Sequence, residues 1–167
     1  MSNYWIKVEP YWDDCPTDDP AAYLAFYKSM PAVSADLLTT HWVISEVCNG
    51  GFHQLFTNPT GVVVPEAISG FNSMGLVELC EIVSQASSFF GDNYPREQIV
   101  RIQALDRYAA RSGNPDDWNP FETLDDQLYT ALENEDEGDA YTCRANAYAE
   151  PGEGPASKGK AGDAGTR

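Results

Sequence analysis

The chain has 167 residues, 43% of them hydrophobic and 12% aromatic, which is enough apolar material for one domain with a real core and excludes wholesale disorder. Its 26 acids and 10 bases leave a net charge of -16, which excludes direct nucleic-acid binding, because that requires Lys and Arg against phosphates, and disfavours anionic membrane surfaces. No apolar run approaches the ~20 residues of a membrane span, and the start MSNYWIKVEP lacks the pattern of a secretory signal, so the expected location is the cytoplasm.

In chain order, YWIKV near the start is the only stretch with strand-like alternation, within an N-terminal extension over 1–19. DDPAAYLAFYKSM opens a helix, with an acceptor side chain ahead of a proline in the first turn. SADLLTTHWVISEVCNGG sets Leu37, His41, Ile44 and Cys48 on one helical stripe, and PEAISGFNSMG is a shorter helix stopped at Gly75. LVELCEIVSQASSFF and PREQIVRIQALDRYAARSG are amphipathic helices, the second with Ile99, Ile102, Leu105 and Ala109 on its apolar face. NPFETLDDQLYTAL carries a capping box, with Asn119 as cap, Pro120 in the first position and Glu122 three residues after the cap. From Pro151 onward Gly, Ala, Pro and Ser dominate, so 151–167 is expected to be a flexible tail. The expectation is an all-α compact bundle of six or seven short helices over 20–150.

The stretch VCNGGFHQLFTN concentrates chemistry-bearing residues, yet its glycines follow a helix instead of opening one after a strand, so they do not form a phosphate cradle. Asn49 and Gly50 read as a helix stop, with Gly50 and Gly51 reversing the chain so that Phe52, Leu55 and Phe56 return to the core. His41, Cys48 and His53 match no metal spacing. Cys48 and Cys80 read as buried small hydrophobes, and a thiol among apolar neighbours in so negative a protein is a poor nucleophile. The sequence therefore calls for no cofactor, no metal and no catalytic group.

The segments WVISEVCNGGFHQLFTNPTG, PEAISGFNSMG and FETLDDQLYTALENED resemble the small acidic helical family typified by a dimeric bacterial DNA-mimic protein. The matching positions are Asn49, Gly50, Gly51, Phe52, Asn58 and Gly75, and the likeness spans roughly residues 20–150. The resemblance implies a helical fold, allows a homodimer, and implies a role in sequestering a helix-turn-helix transcription regulator by presenting carboxylates in place of DNA phosphates.

Independently, residues 116–139 contain ten acids and no Lys or Arg: Asp116, Asp117, Glu122, Asp125, Asp126, Glu133, Glu135, Asp136, Glu137 and Asp139. On the helix in this block Phe121, Leu124, Leu128, Ala131 and Leu132 form the apolar stripe and the acids fall on the remaining surface. A second group, Asp13, Asp14, Asp18 and Asp19, extends the acidic surface if the fold brings the two together. The expected partner is a basic DNA-binding protein. Two alternatives stand beside it: an immunity-type inhibitor of a basic nuclease toxin, and an enzyme using the His41, Cys48 and His53 region.

Overall fold

The computed structural model describes residues 3–113, 119–133 and 139–150. Among them are eight α-helices and no strand: α1 Trp5–Trp12, α2 Pro20–Ser29, α3 Ala32–Thr57, α4 Val64–Ser73, α5 Val77–Ser87, α6 Gln98–Ser112, α7 Glu122–Leu132 and α8 Ala140–Ala149. The proposed tail at 151–167 lies outside the described residues. The all-α expectation is met, with more helices than the six or seven expected.

Helix α3 is the axis of the bundle. It packs on α1, α4, α6, α7 and α8, and Leu37, Val43, Val47, Phe52, Leu55 and Phe56 on it are fully buried. Burying one such side chain contributes on the order of 1.5–3 kcal/mol, so the helix touching most neighbours also anchors the core.

The extension at 1–19 does not stand apart. Its YWIKV stretch forms α1, because Tyr4 and Val8 lie four residues apart and both are buried. The Tyr4 N–H donates to Asn146 Oδ1 at 3.0 Å, and Trp12 stacks on Trp42 of α3 with centroids 3.9 Å apart. Three residues of alternation were too few to outweigh this helical pairing.

Caps appear where acceptor side chains meet free N–H groups. Asp19 Oδ1 accepts from Ala21 and Ala22, with Pro20 opening α2. The expected cap at Asn119 is not the cap of α7: its Oδ1 accepts from the Phe121 N–H at 3.0 Å in the turn ahead of the helix, which begins only at Glu122 with Phe121 as its N-cap and no side-chain bond there. Gly75 has φ of 73°, and the Leu76 N–H donates to Phe71 O beyond it, so the stop of α4 is a left-handed glycine.

The Asn49–Phe52 corner is a break, not a reversal into a different kind of chain. Gly50 (φ -161°, ψ 25°) and Gly51 (φ 73°, ψ 179°) leave helical geometry, and helix resumes at once through Thr57. Gly51 is irreplaceable on two counts: its φ is positive, and a Cβ there would sit 2.6 Å from Asp125 Oδ2.

Gly51→Ala is expected to destabilise by about 2–4 kcal/mol, combining backbone strain with displacement of a buried carboxylate. Gly113→Ala, at φ of 83° but with nothing within 4 Å of its Cβ, should cost only about 1–2 kcal/mol. Urea unfolding of the two variants checks the ordering.

Candidate functional site: an acidic face on α7 built over the α3 break

Helix α7 lies across the break of α3. Phe121, Leu124, Leu128 and Leu132 are buried beneath it and Ala131 is half-buried, the stripe read from the sequence. The acids divide. Glu122, Asp126 and Glu133 are exposed, and at intervals of four and seven residues they align with Tyr129 along one side of the helix. At 1.5 Å per residue the row is roughly 16 Å long. Tyr129 is 40% exposed, and its hydroxyl donates to Val47 O of α3 at 2.9 Å, which fixes the ring in the middle of the row.

Asp125 is the exception and corrects the sequence reading. It is 8% exposed. Its Oδ1 accepts from the Phe52 N–H at 2.7 Å, the first free donor after the break, and its Oδ2 accepts from Asn119 Nδ2 at 3.2 Å. A carboxylate at a helix start satisfies an orphan N–H and complements the positive end of the dipole. Asp125 is therefore a remote cap for the resumed segment of α3 and is unavailable to a partner.

Asp139 is exposed and caps α8 by accepting from the Thr142 N–H at 2.7 Å. Asp116, Asp117, Glu135, Asp136 and Glu137 lie outside the described residues. Asp13, Asp14, Asp18 and Asp19 are exposed, but no extended contact joins α1 or α2 to α7. Helix α1 leans on α3 through His41 and Trp42, whereas α7 leans on it near Val47 and Phe52.

Among the described residues no cation pairs with the acids of the α7 face. Among the described residues the one ion pair joins Arg96 to Glu66, with Nη2 and Oε1 2.6 Å apart. Arg101 is wholly buried and spends its guanidinium on backbone carbonyls of Phe56, Asn58, Pro95 and Arg96. Arg144 Nε donates to Met74 O.

Two functional supports escaped the sequence. Glu46 is 9% exposed and bridges the break, its Oε1 accepting from Thr60 and its Oε2 from Gln54 and Asn58. Arg101 sits where the sequence placed an apolar face. Helix α6 is turned so that Arg101 and Leu105 point inward while Ile99 is 59% exposed, because the carbonyls ending α3 need a donor more than Ile99 needs burial.

Of the remaining motif residues, Asn58 has a structural duty. Asn49 is exposed at the end of the first α3 segment, and Asn58 Nδ2 donates to Glu46 at 2.8 Å. His41 and Cys48 share a recess of about 370 Å³ with Ile44, Leu132, Asp139 and Tyr141. His41 Nδ1 is bonded to Tyr4 Oη at 3.0 Å, and desolvation lowers its pKa. Cys48 is exposed by area, a correction to its reading as a buried hydrophobe. Its thiol pKa is raised, first by desolvation in the recess and then by the charge of Asp139. His53 lies beyond the break, exposed, and does not line the recess. Among the described residues no group of three or more potential ligands could hold a metal ion, and no helix is long and apolar enough to cross a membrane.

Among the described residues, an all-α body that spends its internal donors on carbonyls and buried carboxylates, and leaves acids bare outside, defines a helical acidic protein with a charged face. The chain belongs to the DMP19-like protein family, which it matches over residues 28–150. No curated protein and no solved structure gives a significant match.

Asp125→Ala is expected to cost about 1.5–3 kcal/mol, since it strands the Phe52 N–H, whereas Asp126→Asn should change stability by less than about 0.5 kcal/mol. Chemical unfolding of the two variants separates the buried acid from the exposed one. His41, with its folded pKa below the ordinary 6.5, binds a proton first in the unfolded chain, so this ring makes stability fall as pH drops below 6.5 until the folded ring also protonates. His41→Phe should remove that share of the slope in unfolding curves measured across the window.

Proposed function

We propose that the protein is an acidic protein-binding module that acts as a DNA mimic, presenting the α7 face to a basic DNA-binding protein such as a transcription regulator. The observation that carries the reading is the row Glu122, Asp126 and Glu133, exposed and without an ion-pair partner among the described residues, on a helix whose other side is buried. Duplex DNA carries one negative charge per about 1.7 Å of axis. The row is sparser, and the acids at 116–117 and 135–139 flank it in sequence. Carboxylates on a packed helix lose little conformational freedom on binding and steer a cationic partner towards a fixed docking geometry. Membership of the DMP19-like family supports this reading, which agrees with the likeness to the DNA-mimic protein noted from the sequence.

Capture from the source cell, with the wild type and Glu122→Gln/Asp126→Asn/Glu133→Gln as bait, tests it. The wild type should retain a basic DNA-binding protein at low salt, release it as salt rises, and release it to added duplex DNA. The triple variant should retain roughly tenfold less, with a flatter salt dependence. Equal retention by both baits, or no displacement by duplex DNA, rejects the mimic.

A further inference from the structure

The recess that holds His41 and Cys48 is lined from four helices, by Tyr4 at the N-cap of α1, Ile44 of α3, Leu132 in the last turn of α7 and Tyr141 of α8. Its walls are mostly aliphatic and aromatic. Leu132 is buried, Ile44 packs on the core, and the Tyr4 and Tyr141 rings meet edge to face with centroids 5.8 Å apart. Both tyrosine hydroxyls are spent on the protein, that of Tyr4 on His41 Nδ1 at 3.0 Å and that of Tyr141 on Thr40 Oγ1 at 3.1 Å. At about 370 Å³ the recess lies at the small end of ligand sites, which run from roughly 300 to 1,000 Å³.

One side chain in this lining is charged at neutral pH. Burial lowers the His41 pKa from its ordinary 6.5 and raises that of the Cys48 thiol, so both groups are neutral. Asp139 carries the charge. Its Oδ1 accepts from the Thr142 N–H at 2.7 Å, which fixes the carboxylate at the edge of the recess, and among the described residues it has no ion-pair partner. Its field reaches the Cys48 thiol, where it adds to desolvation in raising the pKa.

A largely uncharged cleft with one fixed carboxylate at its edge narrows the chemistry of its ligand. An anion is repelled by Asp139 and by the net charge of -16. An uncharged apolar molecule covers the carboxylate without bonding it, which is unfavourable. A cation with N–H donors on a short aliphatic stem meets every wall, because the stem lies against Ile44 and Leu132, the tyrosine rings attract the charge, and the donors bond the carboxylate. We propose that this recess is a binding site for a small alkylammonium or alkylguanidinium ion, held by Asp139 at its head and by Ile44 and Leu132 along its stem. The site takes a free small molecule and does not depend on the protein partner of the α7 row.

Titration of the full chain with n-butylammonium chloride at constant ionic strength, followed through the amide NMR signals, tests the proposal. Saturable shifts centred on Ile44, Leu132 and Thr142 are expected, with a Kd on the order of 1–10 mM. Asp139→Asn keeps a capping side chain but removes the charge, and should weaken binding about fivefold. Asp18→Asn removes the same charge from an exposed position outside the lining and should leave the affinity within about 1.5-fold. At equal chain length n-butanol should bind about fivefold more weakly than the ammonium, and n-butyrate should not bind. Cys48→Phe, which fills the recess, should abolish binding with an unchanged circular dichroism spectrum. Shifts that spread over the exposed acids without saturating overturn the proposal. So do equal losses from Asp139→Asn and Asp18→Asn, n-butanol binding as tightly as the ammonium, or a folded Cys48→Phe that binds as the wild type does.

Discussion

The bundle depends on how one short helical segment is held. Residues 52–57 resume helix after the Gly50–Gly51 break, too short a run to be stable alone. Asp125 takes the first N–H at one end, and Arg101 takes the carbonyls of Phe56 and Asn58 at the other. A negative group at the positive end of the dipole and a positive group at its negative end is the arrangement a helix favours. Glu46 bridges the break from the segment before it to Gln54, Asn58 and Thr60. Phe52 and Phe56 are thereby fixed under Phe121, and α7 is seated on them. The exposed acids inherit their placement from this internal clamp.

The interior and the surface divide the charges unequally. Asp36, Glu46 and Asp125 are buried against neutral donors: Tyr148 for Asp36, two amides and a hydroxyl for Glu46, and a backbone N–H with an amide for Asp125. The buried cation, Arg101, likewise gives its hydrogen bonds to backbone carbonyls. Each buried charge is satisfied by dipoles, and Arg101, held inside on carbonyls, is not available to the acids outside.

How much of this was legible in the sequence follows from the range of the interactions. Local signals were readable: Asp19 before Pro20, the left-handed stop at Gly75, and the apolar stripe of α7 are set by residues within one or two turns. The break at Gly50–Gly51 was visible as a helix stop, but the resumption of helix was not, because the groups that stabilise it, Asp125 and Arg101, lie 73 and 45 residues away. For the same reason Asp125 looked like one more surface acid. Nothing in LDDQL distinguishes it from Asp126; only the N–H it meets across the fold does. Helix α6 was read with Ile99 inward, since periodicity scores a buried arginine as polar and turns the helix the wrong way. On the α3 stripe Leu37 is buried and Ile44 packs on the core while Cys48 is exposed, and α1 was missed because two contacts four residues apart make a weak local signal.

The dipole-satisfied interior also sets how the molecule answers ionic strength. Bonds from Arg101 to carbonyls and from Asp125 to an amide are short and enclosed, where mobile ions hardly reach, while repulsion among the outer acids is open to screening. Added salt therefore leaves the scaffold standing and even eases the strain of its own excess charge. Under the proposed function, salt alone would cycle capture and release, with the same folded molecule serving each round.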